Sequence, residues 1–324
     1  MRTRLLKRSL LLVGLFVVIL LFALFSGPHN INPFGMSSTD RMVLFSIRLP
    51  RVIVSLVMGA ALGASGAVLQ GFLRNPLADP YILGLSSGAA LIAAGGLLLG
   101  SNLLGVFTVP LYAFAGSIVT GVLVGFLAYQ RRGFWPERLL LAGVGLGFLF
   151  TALLMLLMSL STDQGLRRAM QWIFGDLSIA DWPLIPYGVV IVIVGMSLSL
   201  WRAKGLNALM LGDDVAYSLG FSPLRERLVL FVAVGLMTAS SVTLGGIVGF
   251  VGLLVPHIVR FLVGPDARSL IPLSACAGAS MLCVADLIGR TVLSPMEIPA
   301  GIVTAIIGAP YFLYLLRRQE VLGG

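Results

Sequence analysis

The sequence predicts an all-helical membrane protein with about ten transmembrane helices, and its composition is the first reason. Apolar residues form 58% of the 324 residues and charged residues only 11%, whereas soluble domains average about 45–50% and about 25%. The mean hydropathy of +1.02 excludes intrinsic disorder, which requires low hydrophobicity. Two cysteines are too few for a disulfide scaffold. The second reason is a series of long apolar runs bounded by charged residues, proline or glycine.

Ten such runs can be placed along the chain, because a helix needs roughly 20 apolar residues to cross the hydrocarbon core. The first follows four basic residues but exceeds the apolar core of a signal peptide, about 7–15 residues, so we expect a retained span. The nearly uncharged stretch 228–263 is too long for one crossing, so we divide it at Gly245-Gly246 into two spans joined by a tight turn. The predicted spans are Leu10–Phe25, Val52–Phe72, Ile82–Leu99, Val109–Tyr129, Leu139–Leu160, Leu184–Trp201, Leu228–Ser241, Ile247–Val263, Leu270–Ile288 and Ile298–Leu316.

The basic residues orient these spans. An even number of spans places both termini on one side, and sixteen of the 22 lysines and arginines then fall on that side. The positive-inside rule makes that side cytoplasmic. The outer side carries as many acidic as basic residues, so the net charge of +9 lies on the cytoplasmic face. The six outer basic residues are Arg41, Arg48, Arg51, Arg167, Arg168 and Arg290.

Pairs of glycines four residues apart recur in the apolar runs. Such pairs allow helices to approach closely in lipid, which is the interpretation we favour. The alternative is that some of them mark broken helices along a transport path. The pairs are Gly59/Gly63, Gly121/Gly125, Gly143/Gly147 and Gly245/Gly249.

Residues that carry catalytic chemistry are scarce. A phosphate-binding loop needs Gly-Lys-Ser/Thr, and neither Lys7 nor Lys204 lies in that pattern. We interpret His257 as a packed or interfacial residue rather than a ligand. Cys276 and Cys283 are seven residues apart on one helix face, and buried structural cysteines are the default. The sequence therefore supports neither a membrane enzyme nor a metal site.

Asp286 is the main ionisable residue within a predicted span. Ion-driven carriers place such groups in their spans, but Asp286 precedes Arg290 by four residues, and an acid-to-base pair at this spacing stabilises a helix. We favour this pair over a proton relay. Many spans without a nucleotide site or a coupling acid indicate a pore-forming subunit powered by a partner. An ion-coupled secondary transporter that acts alone is the alternative.

The cytoplasmic segment Leu206–Phe221 is predicted to be a short helix that docks into another protein. Leu211, Val215 and Leu219 recur at i, i+4 and i+8 and form one apolar stripe. Acids in a first turn suit the helix dipole, and Gly220 is a plausible stop. An amphipathic helix on the membrane surface is the alternative, but such helices carry Lys or Arg on the polar face, and this segment has none there.

Three outer arginines oppose the positive-inside trend. Arg48 and Arg51 lie at the mouth of the second span and Arg290 at the outer end of the ninth. Contact with the phosphates of lipid headgroups is one interpretation. The other is pairing with carboxylates of an external partner, for which the planar guanidinium fork is suited.

Several long motifs together resemble one family of transport proteins. In order along the chain they read IRLPR, GAALGASGAVLQGFLRNPLADPYILGLSSGAA, ERLLLAGVGLG, LGDDVAYSLGF, GFVGLLVPHIVR and EIPAGIVTAIIGAPYFLYLL. The chain resembles the FecCD/BtuC-type permease subunits of binding-protein-dependent ABC importers for iron–siderophores, haem and vitamin B12. The resemblance covers nearly all of the chain after the first span, as a single permease domain of the type II importer fold over 1–324.

The resemblance also implies roles for particular residues. Arg48, Arg51 and Arg290 match positions that meet acidic residues of the binding protein. The segment of about 206–221 matches the segment that couples to the ATPase, and Asn75 and Leu77 match a cytoplasmic gate. The carry-over to a second gate loop is weaker because the local sequence departs from the family pattern. The implied coupling residues are Leu211, Gly212, Asp213, Asp214, Val215, Ala216, Leu219 and Gly220, and the second gate residues are Pro136 and Glu137.

The implied assembly is a homodimer in the bacterial or archaeal cytoplasmic (inner) membrane. Two cytoplasmic ATPase subunits are expected below it and one periplasmic or lipid-anchored substrate-binding protein above it, with no nucleic acid. The permease itself is expected to bind no cofactor and no metal and to catalyse nothing, because the partner ATPase uses ATP and Mg. The sequence does not distinguish a siderophore, a haem or a corrinoid as the substrate.

Overall fold

The computed structural model of the chain describes residues 2–29, 31–98, 104–130, 133–161 and 163–322. Within these ranges the regular structure is helical apart from a hairpin of two-residue strands, β1 (Tyr129–Gln130) and β2 (Gly133–Phe134), paired antiparallel. The basic pair at 131–132 lies outside the described residues. The α-helices of the described ranges are α1 (Arg2–Phe25), α2 (Ser38–Met42), α3 (Leu49–Phe72), α4 (Leu85–Leu98), α5 (Thr108–Ala128), α6 (Pro136–Ser159), α7 (Asp163–Ile173), α8 (Ile185–Trp201), α9 (Ala203–Leu211), α10 (Asp213–Ser218), α11 (Pro223–Gly245), α12 (Val251–Val263), α13 (Ala267–Thr291) and α14 (Ala300–Leu322).

The apolar helices of the structure coincide with the predicted apolar runs. Among the described residues, six of them are long and apolar enough to cross a membrane. The element order confirms the predicted all-helical class, and ten spans stay a prediction. The six long apolar helices are Ser38–Phe72, Gly105–Ala128, Pro136–Ser159, Trp182–Trp201, Pro223–Gly245 and Ala267–Thr291. Shorter apolar helices occupy Leu10–Phe25, Leu85–Leu98, Val251–Val263 and Ala300–Tyr314.

Helix α3 is the centre of the bundle. In its most apolar stretch, 78% of the residues are buried, because α11, α12 and α13 all pack against it. Glycine makes the approach to α13 possible: a Cβ at Gly59 would collide with the carbonyl of Gly278, and one at Gly63 with the carbonyl of Ser274. The close-packing interpretation is therefore confirmed for Gly59/Gly63.

The last of the four glycine pairs behaves differently. Helix α11 ends at Gly245, and the chain is non-helical from 246 to 249 before α12 begins at Val251. Nothing lies within 4 Å of a Cβ added at Gly249, so close packing is wrong at that position. The predicted division near Gly245-Gly246 is confirmed, but both helix ends lie four residues later than predicted: α11 ends at Gly245 rather than Ser241, and α12 begins at Val251 rather than Ile247.

A left-handed backbone explains where α11 stops. Gly246 has φ +78°, and a Cβ there would collide with the carbonyl of Trp172, so only glycine fits. Beyond it, the hydroxyl oxygen of Tyr81 accepts the N–H of Val248 at 3.1 Å. This bond satisfies a backbone donor that the broken helix leaves without an intrahelical partner.

The peripheral helices expose apolar side chains. In the most apolar stretch of α6, only 17% of the residues are buried. Leu141, Phe148 and Met155 are among its exposed residues. Exposed apolar surface on this scale indicates a helix that lipid or another protein covers.

Candidate functional site

The coupling segment is two helices rather than the single helix predicted over Leu206–Phe221. Helix α9 ends at Leu211 and α10 begins at Asp213, because Gly212 adopts φ +124°, a conformation that side-chain-bearing residues rarely adopt. The apolar periodicity continues across this break and therefore hides it. The predicted stop is confirmed: Gly220 has φ +83° and the N–H of Phe221 bonds back to the carbonyl of Ala216 at 3.0 Å.

The predicted apolar stripe lies at the surface. Leu211, Val215 and Leu219 are exposed, as is Tyr217 between them. Ala216 is buried and joins the main hydrophobic core. Docking of this surface into an ATPase stays a prediction, but the exposed apolar patch that docking needs is present.

Asp213 anchors α10 to the body of the protein. Its two carboxylate oxygens accept hydrogen bonds from both Nη atoms of Arg227, at 2.8 and 2.6 Å. The Arg227 side chain is 5% exposed and that of Asp213 is 42% exposed. Arg74 Nη2 also lies 3.6 Å from the same carboxylate. Arg227 additionally donates to the carbonyl of Phe134 in β2, at 3.4 Å.

The first predicted gate residues lie in the loop that follows α3. The side-chain oxygen of Asn75 accepts the N–H of Leu77 at 2.9 Å, which closes a local turn, and Leu77 is half-buried. The second predicted pair opens α6, with Pro136 buried and Glu137 exposed in the first turn. A gating role for these four residues stays a prediction.

The loop after α3 ends on a buried carboxyl group. Asp79 caps the short 3-10 helix Pro80–Leu83, and its side chain accepts the N–H of Tyr81 at 2.8 Å. Burial raises the pKa of Asp79 from 3.8 to about 6, although that hydrogen bond opposes the shift. The same turn positions the Tyr81 hydroxyl on the broken region after α11.

Further polar contacts join loops that the charge pattern assigns to one side. Arg202 and Glu226 form an ion pair at 3.1 Å in which Glu226 is buried. Asn207 donates to Asp266 at 2.7 Å and accepts the N–H of Ala267 at 2.9 Å. Together with Asp213, these residues bring the α3–α4, α8–α11 and α12–α13 connections into contact at one end of the bundle.

At the opposite end, the three outer arginines are buried. Arg48, Arg51 and Arg290 are only 4%, 6% and 3% exposed. Arg51 pairs with Asp286 at 2.8 Å and with Glu297 at 2.7 Å. The predicted pair of Asp286 with Arg290 is present at 3.7 Å, but Arg51 is the nearer partner.

Two of these arginines cap the end of α1. Arg48 donates to the carbonyl of Leu24 at 3.2 Å and to that of His29, and Arg290 donates to the carbonyl of Ala23. The last carbonyls of a helix have no intrahelical partner, and cations are favourable there. The structure thus shows the outer arginines engaged within the chain, and docking to an external protein stays a prediction.

The remaining residues that the sequence analysis singled out, among them His257, Cys276 and Cys283, lie in the helices of the bundle. His257 is buried and its ring packs edge-on against Phe261, with centroids 4.9 Å apart, which confirms the packed interpretation. Cys276 and Cys283 are free thiols. In the described part of the chain, no three His, Cys, Asp or Glu side chains form a group that could hold a metal ion. The side chains of the arginines at 167–168 lie outside the described set.

Sequence reasoning found the Asp286–Arg290 pair but missed the partners that lie far apart along the chain. Arg51 and Asp286 are 235 positions apart, so no local spacing joins them. The available signal was that each is an ionisable residue in or beside an apolar span, where such groups are costly unless paired.

The fold is a bundle of apolar helices, several of them long enough to cross a membrane, with buried ionic groups paired at either end. This is the class of helical membrane proteins by length and composition. The family comparison is more specific. Residues 15–318 match the model of the FecCD transport family, and the chain belongs to that family, as its motifs predicted.

Relatives and a solved structure agree with this assignment. The chain is 41% identical over 288 residues to the cobalamin import system permease protein BtuC of Halobacterium salinarum, covering 89% of this chain and 77% of that one. It is 37% identical over 318 residues to the hemin transport system permease protein HmuU of Yersinia pestis, covering 94% and 95%. A structure described as an inward-facing metal-chelate type ABC transporter superimposes with a TM-score of 0.88 at 31% identity, covering 96% of this chain and 99% of that chain.

Proposed function

We propose that this protein is the membrane-spanning permease subunit of an ATP-driven importer that carries an iron complex, haem or a corrinoid. The carrying observation is the family match over residues 15–318, supported by relatives whose names specify cobalamin and hemin import. The chain supplies the path, and a separate subunit that binds ATP and Mg supplies the energy. The path needs little affinity of its own when an external binding protein delivers the substrate.

The proposed assembly is a homodimer of ten-span subunits with both termini in the cytoplasm of a bacterium or archaeon. Two ATPase subunits contact the cytoplasmic end and one periplasmic or lipid-anchored binding protein contacts the outer end. Support for the ATPase contact comes from the exposed apolar patch of Leu211, Val215, Tyr217 and Leu219. Support for a subunit interface in the membrane comes from the poorly buried α6.

Reconstitution tests this proposal. The purified chain is placed in liposomes alone, with its ATPase, and with its ATPase and binding protein, and uptake of cobalamin, hemin and a ferric hydroxamate is measured. We expect uptake of one of the three only with ATP and both partners. Uptake driven by an ion gradient without either partner would instead establish the ion-coupled secondary transporter. Light scattering of the purified complex checks that two permease copies are present.

A further inference from the structure

Asp213 is the point at which three separate segments of the cytoplasmic end meet. It is the first residue of α10, and Arg227 of α11 donates hydrogen bonds to both of its carboxylate oxygens, at 2.8 and 2.6 Å. Arg74, which directly precedes the Asn75–Leu77 turn, contributes the second cation at 3.6 Å. Since Arg227 also donates to the carbonyl of Phe134, the hairpin that leads into α6 joins the same cluster.

The two ion pairs of Asp213 differ in strength. The Arg227 pair is bidentate and its guanidinium is buried, an arrangement that fixes both distance and orientation. The Arg74 pair is longer, and both of its side chains are nearly half exposed, at 46% and 42%, so it is weak. The first pair is suited to hold α10 on α11 permanently, and the second to form and break as the loops move.

The backbone around the cluster is consistent with such movement. Helix α10 has only six residues and is bracketed by Gly212 and Gly220, both at positive φ, so it cannot hold its own orientation without tertiary contacts. Arg74 itself has φ +52°, a conformation uncommon for a residue with a side chain. Movement of α10 therefore displaces the Asp213 carboxylate relative to Arg74 and the turn behind it.

We propose that Asp213 transmits movement of the ATPase-facing helix α10 to the two predicted gate loops, through Arg74 to the Asn75–Leu77 turn and through Arg227 to the hairpin at Phe134. Asp213, Arg74 and Arg227 are positioning residues in this proposal, since they act through the loops that they hold. It rests on the proposed function, because it assigns a coupling path within the importer.

The test measures transport and ATP hydrolysis separately in the full reconstituted complex. The substrate is whichever of cobalamin, hemin and a ferric hydroxamate the unaltered complex transports. We expect Arg74→Gln to leave ATP hydrolysis within about twofold while the amount transported per ATP falls about fivefold or more, the usual scale of coupling between sites. Asp213→Asn should lower the amount transported per ATP by at least as much. The double variant should lose no more transport per ATP than Asp213→Asn alone, because Asp213→Asn already removes the contact with Arg74 that Arg74→Gln removes.

The matched control is Arg225→Gln, which removes an exposed arginine from the same helix two residues before Arg227 and should keep the transported amount per ATP unchanged. Arg74→Gln tests the coupling role even where Asp213→Asn impairs folding, because replacing the half-exposed Arg74 should leave the fold intact. An unaltered complex with no ATP-dependent transport refutes the proposed function and the coupling role with it. An active unaltered complex whose transport per ATP survives Arg74→Gln refutes the coupling role alone.

Discussion

Asp79 illustrates how a single carboxyl group can make the stability of the end that carries α10 sensitive to pH. Its pKa is raised to about 6 by burial, so between about pH 4 and pH 6 the folded state binds more protons than the unfolded state. Stability conferred by the protonated form is therefore present at low pH and is lost as the pH rises through this range. The total change is roughly 3 kcal/mol.

Replacing Asp79 by Asn should remove this pH dependence. The neutral amide stays uncharged, so we expect Asp79→Asn to raise the melting temperature at pH 8 and to have little effect at pH 4. Thermal unfolding of the detergent-purified protein at both pH values measures it. Asp214→Asn, which removes an exposed carboxylate, serves as the control. Equal shifts at both pH values would contradict the assignment.

Arg51, in contrast, is a residue whose removal should be costly. Its loss leaves Asp286, 2% exposed, with only the longer contact to Arg290. Breaking a buried ion pair on one side costs roughly 3–5 kcal/mol, so Arg51→Gln should lower the melting temperature strongly. The double variant Arg51→Gln/Asp286→Asn should recover part of the loss, since the buried carboxylate that Arg51 neutralises is then removed as well.

The control for this prediction is Arg41→Gln, which changes an exposed arginine at the same end of the protein. A melting temperature that is as unaffected by Arg51→Gln as by Arg41→Gln would show that the buried pair contributes little. That outcome would favour a role for Arg51 in docking alone.

At the scale of helices, the contact between α3 and α13 depends on the absence of side chains. We expect Gly63→Val to separate the two helices, because its Cβ would collide with the Ser274 carbonyl, and overpacking costs about 1–3 kcal/mol. Gly235→Ala is the control, since nothing lies within 4 Å of a Cβ at Gly235 in α11. Thermal unfolding in detergent compares them, and equal stabilities would contradict the close-packing argument.

Sequence patterns predicted the helices better than their interruptions. Hydropathy locates apolar helices because each must bury its apolar residues or insert them into lipid. Those residues are consecutive in the sequence and can be recognised without knowing what they contact. The break at Gly212 was missed because the apolar stripe continues on both sides of it. A glycine at the end of one periodic stretch, followed by two acids, was the available signal for a new helix start at Asp213.

For the whole molecule, the central prediction concerns assembly with the ATPase. We expect Val215→Asp/Leu219→Asp to release the ATPase, because two charges would be buried in an apolar contact. Copurification of the subunits from detergent measures it. Phe34→Asp provides a control with an even more exposed apolar residue at the opposite end. Copurification of the ATPase with the double variant, in the same yield as with Phe34→Asp, would refute docking through this patch.

The candidate sites were predictable only in part. The coupling segment was found because its apolar stripe lies in a charged loop, which is a local anomaly. The partners of Asp213 and Arg51 were not found, because pairing across the bundle depends on which helices meet, and no spacing along the chain encodes that. The outer arginines show the same limit. The pair of Arg290 with Asp286 was predicted, but not the nearer pair of Arg51 with Asp286 or the contacts of Arg48 and Arg290 with the end of α1.

The cap on α1 has a consequence for how the sequence of this protein can evolve. Arg48 and Arg290 bind backbone carbonyls of Ala23 and Leu24, and every amino acid offers the same carbonyl. The attachment therefore recognises where the helix ends and is indifferent to which side chains it carries. Substitutions in α1 that leave its end in place should therefore keep this cap, provided that Ala23 stays packed in its cluster with Val52 and Cys283, whereas a helix one turn longer or shorter should lose it.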